Sequence, residues 1–295
     1  MSRGPRGGGN GALLLLPAAF YIFALIGIPF ALAILYSVTD IKVASEGFRF
    51  VGGRNFRGIL ESPTFRFALR NSFLFAVSSQ ILVVAGATAL AIALQEPFRG
   101  RRFVRFLILL PWVAPISLGA IGWKWILDSI YSIINWVLAA AGLVHPMDPP
   151  MWLGEPGLAM VSVITVHVWR MLPFATVVLL AGLTSIPRDL PEAAAVDGAG
   201  FWRTHFAITL PMIRPIVLVA ALFGIIFTFT DMAVVYILTR GGPHDATQVL
   251  PSLAFFTGIL GGDLAGGAAI SLFLFPLLLA VALVVLRVAR RTEVA

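Results

Sequence analysis

The chain has 295 residues, of which 59% are hydrophobic and only 12% are charged. A soluble domain of this length carries about twice that charged fraction, so the composition indicates an integral membrane protein. The absence of cysteine excludes structural disulfides, thiol catalysis and cysteine-ligated metals. The formal net charge of +7 does not indicate nucleic-acid binding, because the arginines cluster at the ends of apolar runs and form no stripe.

Six long apolar runs predict six membrane-spanning helices. Each run has about the 20 residues that a helix needs to cross the hydrocarbon core. The runs are continuous rather than alternating, which favours helices over a barrel. We therefore predict an all-α, polytopic membrane protein. The predicted spans are Ala12–Tyr36, Asn71–Leu94, Val104–Ile126, Leu158–Leu183, Pro215–Leu238 and Ala268–Val288.

The first apolar run follows a basic, glycine-rich stretch, residues 1–11, which we interpret as a flexible tail. A basic start before an apolar run can be a signal peptide, but this run is too long for one, so we predict an uncleaved first span. The predicted membrane domain covers residues 12–291, and residues 292–295 form a second tail. The apolar segment Val249–Leu260 is too short to cross, and we expect a helix at the outer surface.

The distribution of lysine and arginine predicts the orientation of the chain. Six spans place both termini and the loop at residues 187–214 on one side, which carries twelve of these residues against seven on the other. Cytoplasmic loops are enriched in lysine and arginine. We therefore predict that both termini and this loop are cytoplasmic.

That loop carries helix signals of its own. Pro191 suits a first helical turn, and Ala193–Ala195 are strong helix formers. Gly198 can end this helix with a positive φ. A second helix is predicted over residues 201–209, closed by Pro211, which disfavours helical geometry at the residue before it. These features fit either a surface that another protein binds or a pair of amphipathic helices lying on the lipid surface.

The residue order in this loop resembles the EAA loop of binding-protein-dependent ABC importer permeases. Seven positions at fixed spacing carry the resemblance: Glu192, Ala193, Ala194, Gly198, Ile208, Leu210 and Pro211. In that family the loop is a coupling helix that docks into a cleft of the ATPase subunit. The resemblance therefore implies ATPase-coupling roles for these seven residues and for Asp197, which lies between them.

The resemblance extends from about Leu13 to Arg287. It implies the type I ABC importer permease fold, in a multi-pass subunit of a prokaryotic cytoplasmic membrane. The chain itself has no GxxxxGK[ST] loop, and its two lysines, Lys42 and Lys124, do not follow glycine. We thus predict a transporter subunit that is not an enzyme and binds no cofactor, with ATP and magnesium used by a partner ATPase.

A second stretch, Phe229–Thr247, resembles the corresponding stretch of carbohydrate permeases of the maltose-transporter type, and specifically the larger, MalF-like member of the pair. The resemblance implies four kinds of partner: a second, MalG-like permease, two copies of a cytoplasmic ATPase, an extracytoplasmic sugar-binding protein and membrane lipid. Nucleic acid is not expected. The chain lacks the two extra N-terminal spans and the large outer domain of the enteric maltose protein.

Ionisable residues within the spans indicate a candidate substrate path. Lys124, Arg170 and Asp231 each lie 17–19 residues from the cytoplasmic arginine of their span, about 26–28 Å along a helix. Charged groups at that depth are costly unless they pair or face water. They could line the path, or the two cations could snorkel to the outer interface beside a structural aspartate.

Hydroxyl and aromatic side chains near these charges suit a sugar, which offers hydroxyls to hydrogen-bond and C–H faces to stack. The candidate path residues of this kind are Thr228, Thr230, Tyr236 and Trp123. Threonine also serves helix-to-helix contacts in membranes, which is the alternative for both hydroxyls. His167 lies one turn before Arg170 and is interpreted as a packing histidine with satisfied hydrogen bonds, in preference to a proton relay.

Two other functions remain open from the sequence. One is a permease of the same fold for a solute other than sugar, and the other is a proton-coupled secondary transporter using Asp231, Arg170 and His167. The outer-loop pair His145 and Asp148 could be considered a metal site, but two ligands in a proline-rich loop are insufficient, and a surface that meets a partner is preferred.

Overall fold

The structure is a computed structural model that describes the backbone of residues 8–187 and 189–293 and the side chains of 15–187 and 189–288. Residues 1–7 of the predicted N-terminal tail, Arg188, and the last two residues of the predicted C-terminal tail lie outside this description. The described part of the chain is helical, and its β-structure is one isolated antiparallel bridge between Thr39 and Phe50. The predicted all-α membrane fold is confirmed.

The first half of the chain contains eight helices, and a π-helical turn at Phe23–Gly27 joins the first two. They are α1 (Gly8–Ile22), α2 (Ile28–Ser37), α3 (Arg54–Glu61), α4 (Pro63–Gln95), α5 (Arg101–Val113), α6 (Ile116–Ile126), α7 (Ile133–Ala140) and α8 (Pro156–Thr184). Helix α1 begins four residues before the predicted first span.

The second half contains shorter helices and one long one, with π-helical turns at His205–Thr209 and Phe256–Leu260. They are α9 (Asp189–Val196), α10 (Phe201–Thr204), α11 (Leu210–Met212), α12 (Arg214–Thr230), α13 (Ala233–Leu238), α14 (Leu250–Phe255) and α15 (Leu264–Glu293). The predicted short helix at Val249–Leu260 is present as α14 and the turn after it.

Four helical segments of the described chain are long and apolar enough to cross a membrane: Leu15–Ser37, Pro63–Gln95, Pro156–Thr184 and Leu264–Val288. Two further helix pairs qualify when each is taken as one bent span, α5 with α6 and the helix from Phe201 to Met212 with α12. The described residues therefore hold up to six spans, in the order that the sequence predicts.

The third predicted span is wrong as a continuous helix, because α5 and α6 meet at a bend of 96°. Pro115 explains the break. Its ring disfavours helical geometry at the preceding residue, and Ala114 has the extended angles φ −64° and ψ 141°. The backbone then restarts as α6, with Pro115 immediately before its first residue.

The fifth predicted span is also interrupted. Helix α12 ends at Thr230, Asp231 takes the extended angles φ −79° and ψ 114°, and α13 begins two residues later. The prediction that Pro211 closes the preceding helix is wrong as well, since the chain stays helical to Met212. There Leu210 donates to the carbonyl of His205, five residues back, and this wider π turn accommodates the proline ring.

Compact unit 2, residues 62–253 with 274–295, has its core where α4, α8 and α12 pack together. Small side chains let these helices approach closely, as is usual in membranes. Ala87, Ala91 and Ala175 are buried there beside Leu179 and Leu183. This packing fixes α8 against α12, the two helices that carry the central polar residues.

Compact unit 1 contains residues 8–61 and 254–273 of the described chain, and backbone and aromatic contacts connect these two segments. The amide of Val43 donates to the carbonyl of Gly262 at 2.8 Å. The rings of Phe56 and Phe273 meet edge to face with centroids 5.8 Å apart. At Gly258 and Gly267 the backbone of the π turn and that of α15 touch, and a Cβ built on Gly267 would lie 2.5 Å from the Gly258 Cα.

Gly267→Ala should therefore destabilise the protein, because rigid backbone rather than a movable side chain occupies the space. Overpacking of this kind costs about 1–3 kcal/mol. The melting temperature of the purified protein in lipid nanodiscs would show the loss. The matched control is Gly122→Ala on α6, where nothing lies within 4 Å of the new methyl group. An unchanged melting temperature in Gly267→Ala would contradict the close backbone crossing.

Candidate functional site

A buried cluster of charged side chains lies between the end of α12 and the start of α13. The Asp231 carboxylate, with its side chain 7% exposed, contacts two groups of α8 through the same oxygen, Oδ2. Arg170 donates to it from a guanidinium nitrogen at 2.9 Å, and the His167 Nδ1 lies 3.1 Å away. His167 is fully buried, whereas the side chain of Arg170 remains 27% exposed. Arg170 is therefore the more exposed partner of Asp231 in the cluster.

The break in the helix is part of the same arrangement. The other carboxylate oxygen of Asp231 accepts the backbone N–H of Ala233 at 2.8 Å and so stabilises the first turn of α13. Extended geometry at Asp231 is what turns the carboxylate toward α8 and toward this amide at once. One side chain thus links α8, the end of α12 and the start of α13.

Helical spacing places the two partners of Asp231 on one face of α8. His167 and Arg170 are three residues apart, so their side chains share a stripe. The ring of Phe75, on α4, packs edge to face on His167 with centroids 4.8 Å apart. The far ring nitrogen, Nε2, lies 2.9 Å from the hydroxyl of Thr228. Every polar atom of His167 therefore has a partner within the protein.

The other predicted path residues lie around this cluster in differing environments. Thr230 is exposed, and its hydroxyl bonds to the carbonyls of Ile226 and Phe227. Trp123 is half-buried and meets the ring of Trp169 edge to face at 5.7 Å. Tyr236 is half-buried on α13.

Lys124 was predicted at the same depth as Arg170 and Asp231, but its environment differs from theirs. It is exposed in the last turn of α6. The ion pairs that Asp231 makes are with Arg170 and His167. Of the three charged residues that the sequence places at this depth, Arg170 and Asp231 therefore pair with each other, and His167 joins them.

The sequence favours a packing role for His167 and groups it with Asp231 and Arg170 only in the alternative of a proton-coupled transporter. The structure gives it the contact with Phe75 and adds the bonds to Asp231 and Thr228. The signal that could have revealed this was its spacing of three from Arg170, combined with one acidic residue at matching depth on another span.

The loop at 187–214 forms two helices around a glycine turn. Gly198 takes φ +78°, a value in the left-handed region that glycine favours. The turn is closed by the amide of Ala199, which donates to the carbonyl of Ala194 at 2.9 Å. Ala194 itself is buried, whereas Ala193 and Val196 are exposed, the latter to 88%. One side of α9 therefore faces the rest of the chain and another faces away from it.

The remaining predicted coupling residues flank this turn. Glu192 is exposed and lines a cavity of about 370 Å³ together with Gln95, Glu96 and His205. Asp197 is exposed at the end of α9. After the turn, Ile208 and Leu210 are half-buried, and Pro211 is exposed.

Exposed aromatic side chains continue this surface on the second helix. Trp202, 70% exposed, stacks on Phe206 with centroids 6.0 Å apart, and Phe201 meets Trp202 edge to face. On the opposite side of the helix Thr204 is buried. The loop therefore presents small and aromatic side chains that nothing in this chain covers, among the described residues.

The loop between α6 and α8 is held by its own polar contacts. Asn135 donates to the carbonyls of Ser129 and Pro150 and accepts from the indole of Trp152 at 2.8 Å. The amides of Tyr131 and Ile130 lower the pKa of the Asp128 carboxyl below its usual value. Within the described chain, no group of three or more His, Asp or Glu side chains could hold a metal ion.

Comparison with known proteins gives three consistent findings. Residues 83–294 match the family described as binding-protein-dependent transport system inner membrane component. The chain is 34% identical over 284 residues to the trehalose/maltose transport system permease MalF of Thermococcus litoralis, which covers 95% of this chain and 93% of the relative. It is 30% identical to the diacetylchitobiose uptake permease DasB of Streptomyces coelicolor, over 95% and 87% of the two chains.

A solved structure has the same fold. It is a chain of a bacterial alginate ABC transporter in complex with a periplasmic protein that holds an alginate pentasaccharide. The likeness has a TM-score of 0.81 at 22% sequence identity and covers 95% of this chain and 93% of the other. The chain therefore belongs to the binding-protein-dependent transport system inner membrane components, and it is a permease of an ABC importer with the type I fold.

Proposed function

We propose that this permease carries carbohydrate inward and that an ATPase subunit drives it through the loop at 187–214. The observation that carries the proposal is the pair of helices around Gly198, which presents uncovered small and aromatic side chains beside an acidic cavity. The named relatives, which transport trehalose, maltose and diacetylchitobiose, support a sugar as the solute.

The coupling surface consists of the exposed face of α9 and the aromatic side chains after the turn. Small side chains such as Ala193 allow a partner backbone to approach closely, and Val196 would bury its apolar surface there. Glu192 and Glu96 lie in one cavity and would attract a cation of the ATPase. On this account the partner ATPase binds ATP and magnesium, and this chain binds neither.

The remaining partners follow from the family resemblance. The working complex would contain a MalG-like permease, two ATPase copies and an extracytoplasmic sugar-binding protein. The coupling loop must then lie in the cytoplasm, which agrees with the excess of arginine on that side of the chain. Six spans place both termini in the cytoplasm too.

Within the membrane, the sugar-facing groups would be Arg170, Thr230, Tyr236 and the indole of Trp123. Arg170 keeps part of its guanidinium exposed while Asp231 fixes the rest. A fixed guanidinium is a strong donor to sugar hydroxyls, and the aromatic rings suit C–H faces. Asp231 is already bonded through both oxygens, so its proposed role is to orient Arg170 rather than to contact sugar.

The coupling role predicts a specific effect at Gly198. Gly198→Val places a β-branched residue at φ +78°, which costs on the order of 1–3 kcal/mol locally and displaces the second helix. We expect less ATPase to co-purify with the permease, and transport and sugar-stimulated ATP hydrolysis to fall together. The outer receptor should bind sugar normally.

The matched control is Gly200→Val, in the same loop. Gly200 has φ −70° and ψ 168°, which valine adopts readily, and nothing lies within 4 Å of its new Cβ. That variant should retain the ATPase and transport. Full ATPase retention and transport in Gly198→Val would instead assign this loop to the lipid surface and remove the main support for coupling.

The sugar path predicts an effect at Thr230. Thr230→Val keeps the shape but removes an exposed hydroxyl, so a lost hydrogen bond of about 1 kcal/mol should raise the half-saturation concentration for transport roughly fivefold. The measurement is uptake of labelled maltose or trehalose by proteoliposomes with the complete transporter and receptor.

Thr165→Val is the control for that substitution. Thr165 is also exposed, and its hydroxyl makes the same bond to a carbonyl four residues back, on α8. Its half-saturation concentration should not change. An unaltered value in Thr230→Val would take Thr230 out of the path. Uptake of amino acid or phosphate but of no sugar would replace the carbohydrate assignment with another solute.

A further inference from the structure

Two hydrogen bonds hold the ring of His167. The Thr228 hydroxyl lies 2.9 Å from Nε2 and 2.7 Å from the carbonyl of Gly224, one turn back on α12. A hydroxyl can both donate and accept, so Thr228 bonds to Nε2 in either tautomer of the ring.

The other ring nitrogen faces an obligate acceptor. The Asp231 carboxylate already receives the guanidinium of Arg170 on Oδ2, and an ionised carboxylate has no proton to donate. The His167 Nδ1, 3.1 Å from the same oxygen, must therefore donate to it. The contact with Asp231 thus places a proton on Nδ1.

The charged groups near the ring are Asp231, at the end of α12, and Arg170, on its own helix. The ring of Phe75, on α4, meets it at 64° with centroids 4.8 Å apart, and the hydroxyl of Thr228 contacts it from α12. One carboxylate oxygen therefore receives both Arg170 and His167, and the position of that carboxylate depends on both.

We propose that His167 is a positioning residue of the substrate path. Its ring ties Asp231 to Thr228, and it thereby fixes the carboxylate that presents Arg170. His167 has no exposed surface and so does not touch the solute itself. Its effect on transport would pass through the guanidinium, because a carboxylate free to rotate would let Arg170 leave its place.

Two amide substitutions separate the two bonds. Asparagine places its N–H₂ near the position of Nδ1 and can still donate to Asp231, whereas glutamine reaches the position of Nε2 and can donate only to Thr228. We expect His167→Asn to keep the half-saturation concentration within about twofold. His167→Gln should raise it about tenfold, since a hydrogen bond to a charged group is lost.

A packing role would give the opposite order. Glutamine fills more of the volume of histidine than asparagine does, so a side chain that only fills space would tolerate His167→Gln better. Uptake of maltose or trehalose by the complete transporter in proteoliposomes gives the two half-saturation concentrations. Glutamine performing as well as or better than asparagine would overturn the positioning role.

Because the role assigned to His167 rests on the proposed sugar path, a second measurement must not need transport. Histidine labelled with ¹⁵N in the full chain, with His145, His205 and His244 changed to Gln, reports the ring of His167 alone by NMR in lipid. A proton on Nδ1 is the expected result. An unprotonated Nδ1 would refute the proposal even if sugar uptake is normal, whereas a protonated Nδ1 without any sugar uptake would fault only the proposed solute.

Discussion

The carboxylate of Asp231 is the group on which the middle of this protein depends. A charge within a membrane span is stable only when it is paired or meets water. Asp231 meets Arg170 and His167 of α8 through one oxygen and the first turn of α13 through the other. Removing this single side chain would leave Arg170, His167 and one helix end without an acceptor, and an uncompensated charge inside a protein is strongly destabilising.

Two membrane-spanning segments are interrupted in their backbone. Helix α12 ends at Thr230, and α5 ends at Val113, two residues before Pro115. Irregular backbone at membrane depth is tolerated where protein or a water-filled cavity satisfies its polar groups. Here Asp231, the extended residue at the break, itself supplies the carboxylate that accepts the backbone N–H of Ala233. In transporters, broken helices of this kind are where a solute path can be built.

The candidate spans could be predicted because each is a continuous apolar run, and the two helices of the loop at 187–214 because its residues carry helix and turn signals. The break at Ala114 could also have been expected, since Pro115 disfavours helix before it. The break at Asp231 could not be located, because the apolar run continues beyond it and the contacts of the extended residue with α8 are not visible in the sequence.

The candidate site, like the fold, could be predicted from the sequence only in part. Sequence spacing placed Arg170 and Asp231 at equal depth, but pairing depends on how the helices rotate about their axes, which composition does not fix. The sequence favours a packing role for His167, because a lone histidine in an apolar stretch is usually a packing residue. Its contacts with Asp231 and Thr228 depend on the same helix rotations and are seen only in the structure.

The most direct test of this account is a double-mutant cycle on the pair Asp231 and Arg170. Asp231→Asn, Arg170→Gln and the double variant would each be assembled with the partner subunits in nanodiscs, and thermal stability would be measured. If the two side chains form the central ion pair, the double variant should be more stable than the sum of the single losses predicts, by about 1–3 kcal/mol. Strict additivity of the two losses would show that the carboxylate does not hold the guanidinium, and the account of the site would fail.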